Sequence, residues 1–372
     1  MMLHASGKRK VKEEIDAKTY LEERLAVIDV HAQDRKTSRK IVADVLDEIM
    51  KCFGEDTIFS KVIRKSGSYA TKTKIKAADE FDYDIPLKSP DRYRVQFTDQ
   101  SGIPQRRPDT YARIFFDGKR EMPPNSIKCL LDQYMNCASQ SINCVSVDKT
   151  FHGPAVTMHI LVHNFHDISV DMSPSLLTNQ VTLRDYRWPR DQTTYVLPQQ
   201  VIQEIEKVGL HLVPKGENLW NISVSRAERE LMSRIDHDNG CRKMCHKLLK
   251  SDFDEWSKHY NLDGISTVLF KHELFSLNEE QPWLNWARSQ LYERYCDMLQ
   301  DLSRRLHRRR ISNYFRPTEN LLEGKYISVL NKLAILAMNK RKEIIDMESR
   351  ATYKRRRPVP SRYDQWANLY RM

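Results

Sequence analysis

The stretch Glu80-Phe81-Asp82-Tyr83-Asp84 sets a carboxylate at every second position. In an extended strand alternate side chains share a face, so the three acids point one way. Like charges in a row repel, and such a row is costly unless it is solvated or holds a cation. Phe81, Tyr83 and Ile85 are suited to burying the opposite face. A half-buried strand that presents carboxylates meets the demand of a hard divalent ion for oxygen ligands. A further acid, Asp171, stands among the alternating apolar residues Ile168, Val170 and Met172. Glu80, Asp82 and Asp171 together could hold two metal ions. One would activate an attacking hydroxyl and the other would stabilise a triphosphate leaving group. Gly67-Ser68, ahead of the acids, offers close backbone approach, a hydroxyl and main-chain N–H groups to phosphate oxygens. Singly, a Gly-Ser pair is usually a turn and an Asp-x-Asp a solvated strand face; their order in one chain is what carries information.

These residues need strands and helices to hold them. Residues 81–87 read as a strand, and 155–162 with 167–172 read as a hairpin. Residues 88–127 look irregular. Ile41, Val42, Val45, Leu46, Ile49, Met50 and Phe53 recur at helical spacing and predict an amphipathic helix over 38–53, capped by Thr37 or Ser38 and ended by Gly54. Arg35, Lys36, Arg39 and Lys40 crowd its N-terminal end, the unfavourable end for cations in the helix dipole. From about residue 200 the pattern turns helical, over 201–208, 225–235, 241–249, 283–305 and 325–347. Strands followed by a block of helices imply an α+β chain of two lobes.

The chain has 372 residues, 40% of them hydrophobic, enough for a sizeable core. No run of 18 apolar residues predicts a membrane span, and the N-terminus lacks the apolar stretch of a secretory signal. The formal charge of +11 attracts polyanions or marks a merely soluble basic protein; charge alone leaves both open. Seven cysteines at irregular spacing fit a reduced intracellular compartment, the cytoplasm with a nuclear fraction allowed.

Gly67-Ser68-Tyr69 followed by Glu80-Phe81-Asp82 resembles the active-site opening of the cyclic GMP-AMP synthase-like nucleotidyltransferases. Gly153–Thr157 with Ile168–Asp171 resembles the segment carrying that family's third carboxylate. Leu219–Ser225 with Glu228 is similar to its nucleobase-binding strand-to-helix turn, Cys241–Lys250 to its basic helix, and Asn313–Pro317 with Asn320-Leu321 to its late motif. The matches are collinear from about residue 35 to 345. The resemblance implies a bilobal, polymerase β-like fold with a mixed sheet, a long spine helix and a helical C-terminal lobe. The expected divisions are a charged N-terminal arm at 1–34, flexible or loosely helical, a nucleotidyltransferase core at 35–200, a helical lobe at 201–350 and a basic tail at 351–372. It also implies that Glu80, Asp82 and Asp171 bind two Mg²⁺ or Mn²⁺ ions. Gly67, Ser68 and Lys250 would contact phosphates, and Ser223, Ser225 and Glu228 the nucleobase turn. The implied reaction joins ATP and GTP into a cyclic dinucleotide, a second messenger in antiviral immunity.

Two departures stand out. The zinc-binding insertion of the vertebrate DNA sensor is reduced here to Ile235–Gly240, with only His237 and Cys241 as remnants, so no zinc is expected. The chain therefore looks more like the invertebrate receptors, several of which sense double-stranded RNA, and RNA is expected ahead of DNA. In addition, Asp263–Thr267 lacks the family's stacking aromatic, and Asn221 replaces an arginine, so the product need not be cyclic GMP-AMP. Arg35, Lys36, Arg39 and Lys40, with Arg242, Lys243 and Lys247, are the expected duplex contacts, reading shape and phosphate. A duplex longer than one footprint would draw two protomers into a homodimer. A catalytically silent binding member of the superfamily and a template-independent RNA nucleotidyltransferase are the competing readings.

Overall fold

The structure, a computed structural model, describes residues 15–148, 153–163 and 165–356. The chain opens with helix α1 (Ala17–Ile28), whose first turn is capped by the Asp16 carboxylate accepting from the Thr19 N–H. For α1 the expectation of a flexible or loosely held arm fails; residues 1–14 lie outside the described ones. Leu21, Leu25 and Ile28 form a buried stripe, and Arg24 reaches Asp252 in the C-terminal half at 2.5 Å. Helix α2 (Ala32–Lys51) starts six residues ahead of the expected 38–53 helix and ends at Lys51, before Gly54. Ser38 is therefore no cap. It is buried inside the helix, its hydroxyl 3.3 Å from His166. Twenty residues at 1.5 Å each give a rod of about 30 Å.

Strand β1 (Arg64–Ser66), the one-turn helix α3 (Gly67–Ala70) and strand β2 (Glu80–Pro86) follow. The segment expected to be irregular contains β3 (Tyr93–Thr98), β4 (Tyr111–Phe116) and the short β5 (Arg120–Glu121). The alternation that marks them, Tyr93 and Val95 or Ala112 and Ile114, is hidden among the intervening Pro, Gly and Asp. Helix α4 (Pro124–Ser139), not foreseen from the sequence, buries Ile127, Leu131, Met135 and Ala138. Then come β6 (Val145–Val147), β7 (Val156–Ile160) and the long β8 (Ile168–Thr178), the last two being the expected hairpin.

After α5 (Thr193–Val196) and α6 (Gln199–Lys207), strands β9 (Leu210–Lys215) and β10 (Leu219–Ser223) return to the sheet. The 200/201 division thus falls inside α6, and the sheet continues to Ser223. The sheet order is β1-β2-β8-β9-β10-β4-β3, with β5 on β4 and β7, carrying β6, on β8. Only β2 and β8 run parallel among these pairs, and their register sets Asp82 opposite Asp171. Beyond it lie α7 (Ser225–Arg234), α8 (Arg242–His259), α9 (Val268–Glu280), α10 (Leu291–His307) and α11 (Ile327–Arg356). The expected 283–305 helix begins only at Leu291, and α11 carries the first residues of the expected basic tail; residues 357–372 lie outside the described ones. The architecture is α+β: a mixed sheet followed by a helical block, with α1 returning to pack on α8, α10 and α11.

Candidate active site

The parallel pairing of β2 with β8 brings the three acids together. One carboxylate oxygen from each of Glu80, Asp82 and Asp171 lies within 4.8 Å of the others. Glu80 is exposed, and Asp82 and Asp171 are half-buried. Burial, then the nearby charges of Glu80 and Asp171, push the Asp82 carboxyl up to about 6. Such a group gains most from a cation that restores its charge. Thr157 on β7 donates its hydroxyl proton to Asp171 Oδ1 at 2.7 Å and fixes that carboxylate's rotation. Lys74 already offers one positive charge, 2.6 Å from Glu80 and 3.0 Å from Asp79. The donor set is all carboxylate oxygen, which suits Mg²⁺ or Mn²⁺ and not a thiophilic ion.

The turn over the acids is held by close packing. Gly67 has φ +65°, and a Cβ placed on it would stand 1.6 Å from Asp82 Oδ2. Glycine is required there both for conformation and for room. The Ser68 carbonyl accepts from the Thr73 N–H at 2.9 Å and from the Thr71 hydroxyl at 3.1 Å, which closes the loop. Tyr69 stacks on Phe81 with centroids 4.2 Å apart and donates to the Arg35 carbonyl at 3.0 Å, tying α2 to β2. Lys250 on α8 reaches the other side of the loop and donates to the Thr73 carbonyl at 3.2 Å. Burial and the neighbouring Lys74 draw its ammonium down to about 8. Gly67 and Ser68 therefore stand in one loop beside the acids, and Lys250 reaches that loop from α8.

The expected nucleobase turn divides. Ser223 donates to Ser225 at 3.1 Å, and Ser225 lies 3.3 Å from the buried His211 ring, which burial and the nearby Arg226 hold neutral, down to about 3. Glu228 does not face the cleft. It is buried between α7 and α9, 2.7 Å from Lys271 and 3.1 Å from His272. Burial pushes its pKa up, but the Lys271 ammonium and the His272 ring beside it hold it below the usual carboxylate range. The late motif buttresses this turn from behind. Asn313 Oδ1 accepts from the Phe315 and Arg316 N–H groups, and Arg316 donates to the Ile222 carbonyl and to Glu319.

The seven cations expected on a nucleic-acid face also divide. Lys36, Arg39 and Lys40 are exposed on α2, Arg39 lying over the Tyr69 ring at 5.9 Å. Arg35 turns back to the Val30 carbonyl at 3.3 Å. Arg242 is buried: it donates to Asn278 and Asp238, both at 2.7 Å, and stacks over Trp286. The expectation that it contacts a duplex is corrected, because the first turn of α8 is folded inward. Lys243 donates to the Ser233 carbonyl at 2.8 Å, and Lys247 is held by Asp29 at 2.6 Å. Of the residues considered for zinc, His237 is exposed while Cys241 is buried. Among the described residues no helix is long and apolar enough to cross a membrane.

Sequence reasoning missed Lys74, Thr157, His211 and the arginines Arg64 and Arg226. Thr157 alternates with apolar neighbours as Asp171 does, a signal that two facing strands share one polar position. Lys74 pairs with Asp79 and Glu80 just after it in the chain, whereas His211, Arg64 and Arg226 lie beside residues distant in the chain.

Comparison with known proteins bears on the whole arrangement. The Mab-21 protein nucleotidyltransferase domain matches residues 69–234, and the Mab-21 protein HhH/H2TH-like domain matches residues 241–337. Cyclic GMP-AMP synthase from Sus scrofa is 24% identical over 322 residues, 75% of this chain and 61% of that protein. A cyclic GMP-AMP synthase-like receptor from Trichogramma pretiosum is 22% identical over 348 residues, 82% of this chain and 68% of that protein. Protein mab-21-like 3 from Danio rerio is 24% identical over 171 residues, 45% of this chain and 43% of that protein. The chain thus spans well under the full length of these relatives. The two matched domains meet between α7 and α8, the first of them enclosing all three acids, and on this evidence the chain belongs to the cyclic GMP-AMP synthase/Mab-21 family of nucleotidyltransferases.

Proposed function

We propose that the chain is an active nucleotidyltransferase that joins two nucleoside triphosphates, ATP and GTP foremost, into a cyclic dinucleotide that serves as an antiviral second messenger. The observation that carries this reading is the acid cluster: Glu80, Asp82 and Asp171 converge within 4.8 Å beside a glycine that leaves no room for a side chain. Bound there, two Mg²⁺ or Mn²⁺ ions would activate the attacking hydroxyl and neutralise the departing pyrophosphate. The protein's own share is orientation. Thr157 steers Asp171, the one-turn helix α3 leaves its first main-chain N–H groups without a helical partner, the Ser68 hydroxyl is free among the described residues, and Lys250 sets a positive charge against a donor triphosphate. Ser223 and Ser225 offer hydroxyls toward a base.

Activation by a duplex, RNA ahead of DNA, rests on the exposed Lys36, Arg39 and Lys40 of α2 and on Lys243 of α8. Such contacts bind phosphate and are weakened steeply by salt. A long duplex that spans two protomers would account for a ligand-induced homodimer. The similarity to mab-21-like 3 favours a second reading, a catalytically silent binding protein; the complete acid set argues for the first.

The test is direct. Purified protein is incubated with the four NTPs, Mg²⁺ or Mn²⁺, and long duplex RNA or duplex DNA, and products are resolved before and after phosphatase. A phosphatase-resistant cyclic dinucleotide, absent in the Glu80→Gln, Asp82→Asn double variant, is expected. An extended RNA 3′ end, or no metal-dependent product with either duplex, would overturn the proposal.

A further inference from the structure

The sheet face that carries the acids continues into a cationic cluster. Arg64 on β1 pairs across from Asp84, two residues beyond Asp82 on β2. Two residues of strand separate them, so Arg64 stands about 7 Å further along the same face. Arg226 and Arg229, from the first turns of α7, lie against the same spot. Arg229 is pinned through its guanidinium to the Lys65 carbonyl. Arg64 and Arg226 are different: neither makes a hydrogen bond or an ion pair with any described residue. Arg226 is half-buried, and its Nε is buried without an acceptor. Asp84 does not satisfy them, since no guanidinium comes within ion-pair distance of it.

Both arginines line a half-open cavity of about 740 Å³, bounded by Leu176–Leu183 and the end of α6. Its remaining charges do not cancel them. Lys207 adds a third cation, and Glu206 is taken up by Arg184 at 2.7 Å, which leaves Asp91. A guanidinium drawn out of water without a partner is unfavourable. Its fork of donors matches the oxygens of phosphate, and an anion in the cavity would relieve both the lost hydrogen bonds and the crowding of like charge. Burial and the neighbouring Arg64 and Arg229 already draw Arg226 down to about 10. The volume is that of a small-ligand site.

We propose that Arg64 and Arg226 form a polyphosphate seat for the second, acceptor nucleotide, holding its 5′-triphosphate while its sugar hydroxyl lies toward Asp82. This rests on the reading of the acids as the catalytic centre. The donor's triphosphate occupies the other flank, at Ser68 and Lys250, so the two tails are kept apart by the acid row.

The experiment reads binding without turnover. Inorganic tripolyphosphate is titrated calorimetrically into the full chain in metal-free buffer, for the wild type, Arg64→Ala, Arg226→Gln and the exposed control Arg120→Ala. Melting curves establish that each variant is folded, and Arg226→Lys, which keeps the charge, substitutes if Arg226→Gln is not. Affinity is expected to fall at least tenfold in Arg64→Ala and Arg226→Gln and to stay within twofold in Arg120→Ala. Unchanged affinity in both, or an equal loss in the control, overturns the seat. Loss of duplex RNA binding in Arg64→Ala with tripolyphosphate binding intact would assign these arginines to nucleic acid, and overturns it as well. In the active protein, KM for one of the two nucleotides should rise while the other is kept; equal KM values overturn the acceptor assignment. Arginine-dependent tripolyphosphate binding in a protein that makes no product from any NTP would sink the catalytic reading and leave the anion site standing.

Discussion

Gly67 and Asp82 are in contact so close that the glycine's missing side chain is occupied by the acid: an added methyl would stand 1.6 Å from Asp82 Oδ2. Gly67→Ala is therefore expected to displace the carboxylate while leaving the sheet intact. A shift of about 1 Å in a reacting group costs on the order of 10²-fold in rate. Steady-state rates should fall by that much, with a far-ultraviolet spectrum like that of the wild type. A variant with full activity would show that Asp82 is not held by this contact.

Thr157→Val replaces the hydroxyl that donates to Asp171 with a methyl of similar size. The acid keeps its place but loses its orientation. Loss of such a supporting hydrogen bond weakens metal affinity or activity by about 10- to 100-fold. The Mg²⁺ concentration giving half-maximal activity should rise accordingly, and Thr157→Ser should restore it.

His211 is buried and neutral, its pKa lowered by burial from the ordinary value to about 3. The unfolded chain binds a proton near pH 6.5 that the folded chain refuses. Stability is thus complete above pH 6.5 and declines as pH falls from there toward 3, by about 1.4 kcal/mol per pH unit for one such group. His246, buried and likewise lowered, adds to the slope. Urea unfolding at pH 6.5, 6.0 and 5.5 should show this decline, and His211→Gln should reduce its steepness by one proton.

Arg242 and the α2 lysines should separate cleanly. Arg242→Ala removes two internal hydrogen bonds from a buried guanidinium, a loss of about 2 kcal/mol or more in stability. Lys36→Glu with Lys40→Glu, both exposed, should leave the melting temperature unchanged. The same pair should weaken duplex RNA binding and flatten its salt dependence. A melting temperature unmoved by Arg242→Ala would place that side chain on the surface.

The acid cluster was legible because its signal is local. A period of two in β2 and a lone acid in an apolar strand read directly from neighbouring residues. Most helices of the C-terminal half were legible for the same reason, with ends displaced by several residues, but α9 was not foreseen. What escaped were features set by contacts distant in the chain. β3 and β4 are strands because each pairs with the other across a long irregular loop, and nothing near Tyr93 announces this. Arg242 and Glu228 sit in sequences that look like basic and acidic surface. They are interior because Asn278, 36 residues on from Arg242, and Lys271, 43 residues on from Glu228, with His272 next to it, supply their partners. α1 carries four charged residues among its twelve and buries one narrow stripe of Leu21, Leu25 and Ile28.

The seven-pair ladder between β2 and β8 has a consequence for how this protein can vary. Because side chains alternate, slipping the ladder by a single rung would send Asp171 to the reverse side of the sheet from Asp82. No local rearrangement can then separate these two acids; only insertion or deletion within either strand can, and that would also expose Val170 and Met172. Point substitution can silence the centre, but relocating it requires taking the molecule's interior apart.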